Sequence, residues 1–336
     1  MQERYSLGKL PAEHLARLFA QYLATDERVI VGPGIGHDAA VISFSDRYLV
    51  AKTDPITFAT DDIGWYAVHV NANDVACTGA TARWFLATLL LPQSDTDEAL
   101  VDEIFEQMAD TCQQLGITLV GGHTEITHGF DRPIVAGFML GEVAPEALVR
   151  PDGARPGDTL LLTKGIAVEG TALIAREKGD QLTSVDRSLV ERSGRFLYEP
   201  GISVVRDAAV ATAAGEVHAM HDPTEGGLAT GLWELADAAQ VGLTMDQDAI
   251  PILPETTTLC EALGLNPLGL IASGALLIVA PPDDAVEIQT ALEGQNIPAA
   301  RIGRVVKRDE GVKLRSPEGT RPLPRFDQDE ITRLFE

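Results

Sequence analysis

The sequence predicts a soluble α/β protein of two domains, and three observations carry that prediction. At 336 residues the chain is about twice a typical domain length. In both halves, stretches with apolar residues at three- and four-residue spacing alternate with short β-rich runs. Midway, Arg-Pro-Asp-Gly-Ala-Arg-Pro-Gly-Asp at 150–158 packs two prolines and two glycines just ahead of a fresh apolar strand. That turn signal places the boundary between domains 1–150 and 151–336.

The elements follow in order. Leu15, Leu18, Phe19, Tyr22 and Leu23 give an amphipathic helix over 10–23, and a short apolar run occupies 29–31. Residues 39–42 and 48–54, separated by Ser45-Asp46, read as a hairpin. Helices are expected at 63–79 and 97–115, with extended segments at 83–91, 117–120 and 134–143. The second half reads as a strand at 159–163, helices near 166–178, 186–196, 203–214 and 228–240, and strands near 217–220, 275–280 and 301–306.

Composition narrows the function. With 45% hydrophobic and 23% charged residues the chain can bury a core, which excludes disorder as its main state. Fifty acidic against 26 basic residues, a net charge of −24, repel phosphate backbones and anionic lipid, so neither nucleic acid nor membrane is an expected partner. Cys77, Cys112 and Cys260 show no metal-binding or disulfide spacing. The first residues lack a signal-peptide core and no apolar run is long enough to span a bilayer, so a cytoplasmic location is expected.

Five segments place a carboxylate beside glycine or at the end of an element. Gly32-x-Gly34-x-Gly36 opens a strand and not a helix, which argues against a dinucleotide fingerprint and leaves a turn that delivers Asp38. Lys52 and Asp54 lie two apart and project from one face of a strand. Asn71, Asn73 and Asp74 interrupt an otherwise apolar helix, where burying them unpaired would cost ~1–3 kcal/mol each. Asn71 and Asp74 share a face there, and a bound ligand or a structural polar network would satisfy them. Gly121-Gly122 end a strand before His123, Thr124 and Glu125, a pattern of a bulge or of a close backbone approach. Asp222, Pro223 and Glu225 form a capping box for the helix that follows, and Gly226-Gly227 leave its N-terminus open to a phosphate. Carboxylates tolerate phosphate when Mg²⁺ bridges them, so the set points to a metal–nucleotide site built without a P-loop.

The motifs GxGxDAAV, KTDPITF, NANDVACTGA, GGHTE and HDPTEGG, in that order, resemble the AIR synthase (PurM-like) superfamily, and within it the hydrogenase-maturation HypE and AIR synthase-related branch. The resemblance spans residues 7–315. It implies an α/β (α+β) PurM-like two-domain fold, with N-terminal strands forming a dimer barrel and a C-terminal α/β domain. It also implies a homodimer that uses ATP and Mg²⁺ to phosphorylate and so activate a small-molecule acceptor. Carried over motif by motif, Asp38, Asp54 and Asp74 would be metal ligands, with Asp54 and Asp74 central to catalysis. Asn73, Gly122, Thr124, Asp222, Gly226 and Gly227 would contact the nucleotide. HypE proteins end in a cysteine that is carbamoylated and dehydrated, whereas residues 327–336 here hold no thiol. The resemblance therefore implies an ATP-dependent phosphotransferase or ligase/dehydratase-like enzyme, and the missing thiol argues against the HypE carbamoyl dehydratase role. A thiamine-monophosphate-kinase-like activity and a non-catalytic nucleotide-binding maturation or assembly factor are the alternatives, and a maturation partner protein is a further expectation.

Overall fold

The computed structural model describes residues 10–23, 26–57 and 61–334. The chain forms two compact units. One comprises Asp26–Gly32 and Asp38–Leu148; the other takes in Pro33–His37 and the chain from Val149 onward, together with helix α1 (Ala12–Tyr22). Among the described residues no helix is long and apolar enough to cross a membrane.

The first unit contains β1 (Val29–Val31), β2 (Ala40–Phe44), β3 (Arg47–Ile56), α2 (Ile63–Cys77), β4 (Thr81–Pro92), α3 (Glu98–Leu115), β5 (Thr118–Thr127) and β6 (Ile134–Val143). Among the described residues these strands form one sheet in the order β1-β2-β3-β6-β4-β5. The β2–β3 hairpin closes through Ser45-Asp46, with Phe44 opposite Arg47 and Ser45 at φ +59°. Parallel strands need a crossover, and α3 supplies it between β4 and β5. Its ends are written in the sequence: the Asp97 side chain accepts from Leu100 N–H at 2.9 Å, and Gly116 closes it at φ +69°.

Helix α2 packs on β3, β6 and β4 and also against α3, so it is buried on nearly all sides. Its approach to the sheet depends on Gly137. In β6, Gly137 lies opposite Asp54 of β3, and a Cβ there would run into the Asn71 amide and the Phe85 ring.

The strand expected to end at Gly121-Gly122 continues through both glycines to Thr127, so that expectation is corrected. A register shift against β4 falls at this point, between Phe85 and Leu86, and both glycines adopt φ near +150° (148° and 151°). A Cβ on Gly122 would strike the Ala87 carbonyl of β4. The close backbone approach at Gly122 is therefore to its own sheet.

The second unit contains β7 (Thr159–Thr163), α4 (Val168–Lys178), α5 (Arg187–Ser193), α6 (Val205–Ala214), β8 (Ala219–His221), α7 (Gly227–Ala239), β9 (Gly242–Asp246), α8 (Pro254–Leu263), β10 (Leu277–Ala280), α9 (Pro282–Gly294), β11 (Ala299–Val306), β12 (Val312–Ser316) and β13 (Gly319–Pro322). Its sheet runs β13-β12-β9-β11-β7-β10-β8 among the described residues, antiparallel except where β12 meets β9. Leu160 and Leu162 of β7, Leu228, Leu232 and Leu235 of α7 and Leu277 of β10 share one buried core.

Because Gly137 faces a fixed amide, Gly137→Ala should cost about 1–3 kcal/mol of overpacking. Urea unfolding should show it as a lowered midpoint with an unchanged slope.

Candidate functional site

In the first unit the strand alternation of β3 turns Lys52 and Asp54 to one face, as their spacing predicts. Asp74 comes to meet them from α2, anchored one turn earlier by Asn71. The Asn71 amide donates to the Ala67 carbonyl at 2.9 Å and to the Asp54 carbonyl at 3.2 Å, tying helix to strand. Lys52 Nζ then lies 3.1 Å from Asp74 Oδ2 and 3.4 Å from Asp54 Oδ2. Asp74 is only 5% exposed. Burial works against the charge on Lys52, but the fields of Asp74, Asp54 and Asp38 outweigh it and raise the lysine above its ordinary range. Asp38, just ahead of β2, thus belongs to the same electrostatic cluster.

Two of the expected residues, Asp54 and Asp74, are brought together on Lys52, and the charge of Asp38 acts on the same lysine. Asn73 is wholly buried in α2. Gly122 and Thr124 are on β5, three strand spacings from β3, or about 14 Å. They line a cavity of about 240 Å³ whose opposite wall includes Phe105 and Met108 of α3. Neighbouring His123 and Glu125 pair with each other at 3.2 Å on the exposed side.

In the second unit, His221 ends β8 and is bonded through Nε2 to Glu234 of α7 at 3.1 Å, and Asp222 is 2% exposed. The capping box expected from Asp222, Pro223 and Glu225 is not formed. Gly226 is the N-cap, at φ +78°, and α7 starts at Gly227, at φ +64°. Glycine is required at Gly227, because a Cβ would lie 2.6 Å from the Leu268 carbonyl and 2.7 Å from that of Leu270. With these two residues in left-handed conformations, the helix cannot begin as early as Asp222.

The Gly226 N–H is taken by a residue that the sequence did not single out. Asp329 Oδ2 accepts from Gly226 at 2.6 Å, and its Oδ1 accepts from Ile331 at 2.9 Å and Ile271 at 3.2 Å. Other residues of this C-terminal segment are also held. Arg325 lies over the Trp233 ring at 3.8 Å, and Glu330 accepts from Asn266 N–H at 2.8 Å. Residues 323–334 therefore form a strap across the head of α7. The signal was a run of Leu323, Phe326, Ile331 and Leu334 scattered among charges, too sparse to read as an element.

Two family models, the N-terminal and C-terminal domains of AIR synthase related protein, match residues 36–143 and 155–314. The carbamoyl dehydratase HypE of Rhizobium leguminosarum bv. viciae is 30% identical over 286 residues, covering 82% of this chain and 78% of its own. The chain belongs to the AIR synthase related family. Its fold is the PurM-like two-domain fold of solved relatives. A HypE–HypF complex aligns with a TM-score of 0.75 at 22% identity, covering 93% of this chain and 99% of that one. HypE in complex with ATP aligns at 0.67 and 24%, covering 97% of each chain. Thiamine monophosphate kinase from Aquifex aeolicus aligns at 0.70 and 20%, covering 95% and 100%. Among AIR synthase related features in this chain, the carboxylate cluster lies in the N-terminal family domain and the Gly226-Gly227 turn in the C-terminal one.

Asp329 yields a pH prediction. Burial pushes its carboxyl up to about 6 from an ordinary 3.8; the bonds from Ile331, Gly226 and Ile271 oppose the shift and the Glu225 charge adds to it. A group whose pKa is raised on folding contributes stability that is full below the unfolded value and lost as pH rises through the folded one. The stability of the wild type relative to Asp329→Asn should therefore fall between about pH 4 and pH 6, by on the order of 3 kcal/mol, and stay level above. Urea unfolding of both proteins across that range measures it.

Proposed function

We propose that this protein is an ATP-dependent enzyme that binds a magnesium–nucleotide complex through Asp38, Asp54 and Asp74 and transfers a phosphoryl group to a small acceptor. The observation that carries this reading is the convergence of Asp54 and Asp74 on one cation, the Lys52 ammonium, with Asp38 in the same field. That cluster already holds a positive charge where β3 and α2 deliver carboxylate oxygens, the donor type that Mg²⁺ prefers. The donor set therefore fits a magnesium ion, held by Asp74 and Asp54 with Asp38 beside them. Once bound, the metal would neutralise phosphate charge and orient the transferring group.

The chain's own residues then act by placement. Asp54 and Asp74 fix the site from a strand and a helix that Asn71 stitches together. Asn73, Gly122 and Thr124 are the remaining nucleotide candidates in this unit. In the second unit Asp222, Gly226 and Gly227 are the candidates for phosphate, and because Asp329 already accepts from the Gly226 N–H, a phosphate there would have to displace that carboxylate. No residue is assigned as general base, and catalysis rests on positioning and charge neutralisation. The ATP bound to a solved HypE relative supports the nucleotide, and the HypE–HypF complex supports a maturation partner protein.

A homodimer belongs to the same reading. β5 pairs only with β4 among the described residues and is exposed along most of its length, with Val120 and Ile126 open to solvent. A long edge strand that exposes large apolar side chains such as these is a template for pairing with another chain. A second copy of the sheet, closing a barrel, is the expected cover.

Calorimetric titration tests the site. Wild type should bind ATP with Mg²⁺ present and far more weakly without it, and Asp74→Ala should lose the metal-dependent part, at least about tenfold. No binding to wild type at any magnesium concentration would overturn the reading. For the dimer, Ile126→Glu should shift light-scattering mass from two chains to one; a wild type that is already monomeric refutes it.

A further inference from the structure

We infer that Lys52 is a positioning residue, the resident counter-cation that holds Asp54 and Asp74 in place for a divalent metal and gives up that seat when the metal enters. The inference rests on the metal–nucleotide reading above and adds to it a role for a residue outside the carboxylate set.

The geometry carries it. One Oδ2 from each carboxylate lies within hydrogen-bond or ion-pair reach of the same nitrogen, 3.1 Å for Asp74 and 3.4 Å for Asp54. A magnesium ion held by those two oxygens would compete for the place where the ammonium now lies. Two cations cannot share that place at such separations, so entry of the metal requires Nζ to leave. The lysine side chain is suited to leaving. Its charge is a compact head on a flexible four-carbon stem, and its side chain is partly exposed, at 19%.

The departure is useful in both states. Without metal, the ammonium offsets the repulsion of carboxylates gathered on one face, two of them on separate elements. With metal and nucleotide bound, the displaced ammonium remains on β3 beside the site and becomes a donor for phosphate oxygen. Asn71 keeps β3 and α2 joined through backbone carbonyls, so the exchange of cations need not move the scaffold.

Mn²⁺ binding without nucleotide, followed by electron paramagnetic resonance, tests the role. Lys52→Met should bind Mn²⁺ at least about tenfold more tightly than wild type, because the competitor is gone. Its melting temperature should rise on adding Mg²⁺ and fall with EDTA, where wild type changes little. Lys52→Arg, with a planar fork that grips both carboxylates, should bind Mn²⁺ more weakly than wild type. Mn²⁺ affinity in Lys52→Met equal to or below that of wild type overturns the inference. A second measurement needs no variant. In ¹⁵N-lysine-labelled wild type, the Lys52 ammonium protons should be protected from exchange without metal, and lose that protection in Mg²⁺ with a non-hydrolysable ATP analogue. Protection that persists in the demonstrated complex overturns the inference while leaving the nucleotide site standing. Failure of wild type to bind the analogue with Mg²⁺ overturns both.

Discussion

The pairing of Lys52 with Asp74 constrains most of the first unit. Asp74 sits on a helix sandwiched between a sheet and a second helix, where an uncompensated carboxylate is costly by several kcal/mol. The ammonium that compensates it comes from β3, and only one register of β3 presents Lys52, and not Thr53, to α2. A slip of one residue would turn the cation away and bring an uncharged side chain in. Gly137 follows from the same demand. It lies opposite Asp54, and its missing Cβ lets the Asn71 amide reach the strand. The helix position, strand register and glycine are parts of one solution.

The second unit buries a carboxylate under different terms. Asp329 has backbone N–H groups as partners where Asp74 has an ammonium, and dipoles offset desolvation less completely than an opposite charge does. That is why Asp329 is pushed up to about 6 while the Lys52 cluster keeps its cation. The Gly226-Gly227 turn also answers two needs. Left-handed φ at both positions sets where α7 begins, and the bare backbone lets the Leu268–Leu270 segment pack against it.

Much of this was legible in the sequence. The β2–β3 hairpin, α2, α3 and β6 follow from period and turn chemistry, and Asp97 and Gly116 mark the ends of α3. The carboxylates Asp38, Asp54 and Asp74 stood out together, because separate segments each deliver one beside glycine, at the end of an element or inside an apolar helix. Other features were hidden for physical reasons. β12 finds its parallel partner β9 more than sixty residues back, a pairing that no local pattern encodes. α8 carries Thr256, Thr257 and Thr258, weak helix formers, and α9 has Pro281 as its N-cap and Pro282 as its first residue. The capping box at Asp222 was a sound local solution that lost to the backbone needs of Gly226 and Gly227. Lys52 was visible on the right face of its strand, but its role depends on a helix that arrives about twenty residues later.

The cluster also bears on how a nucleotide would be chosen. A P-loop presents backbone N–H groups, which bind phosphate directly and gain further from metal. A cluster of carboxylates does the reverse: it repels bare phosphate, and only an intervening divalent cation changes the sign of the interaction. A site of this kind recognises the metal complex and excludes the free nucleotide without needing shape to tell them apart. Lys52 softens that exclusion, because its charge reduces the repulsion met by an arriving triphosphate before any metal bond forms. The same charge keeps the carboxylates from drawing in stray cations too tightly. In this arrangement the lysine sets how strongly the cluster asks for metal, and the carboxylates decide that metal is needed.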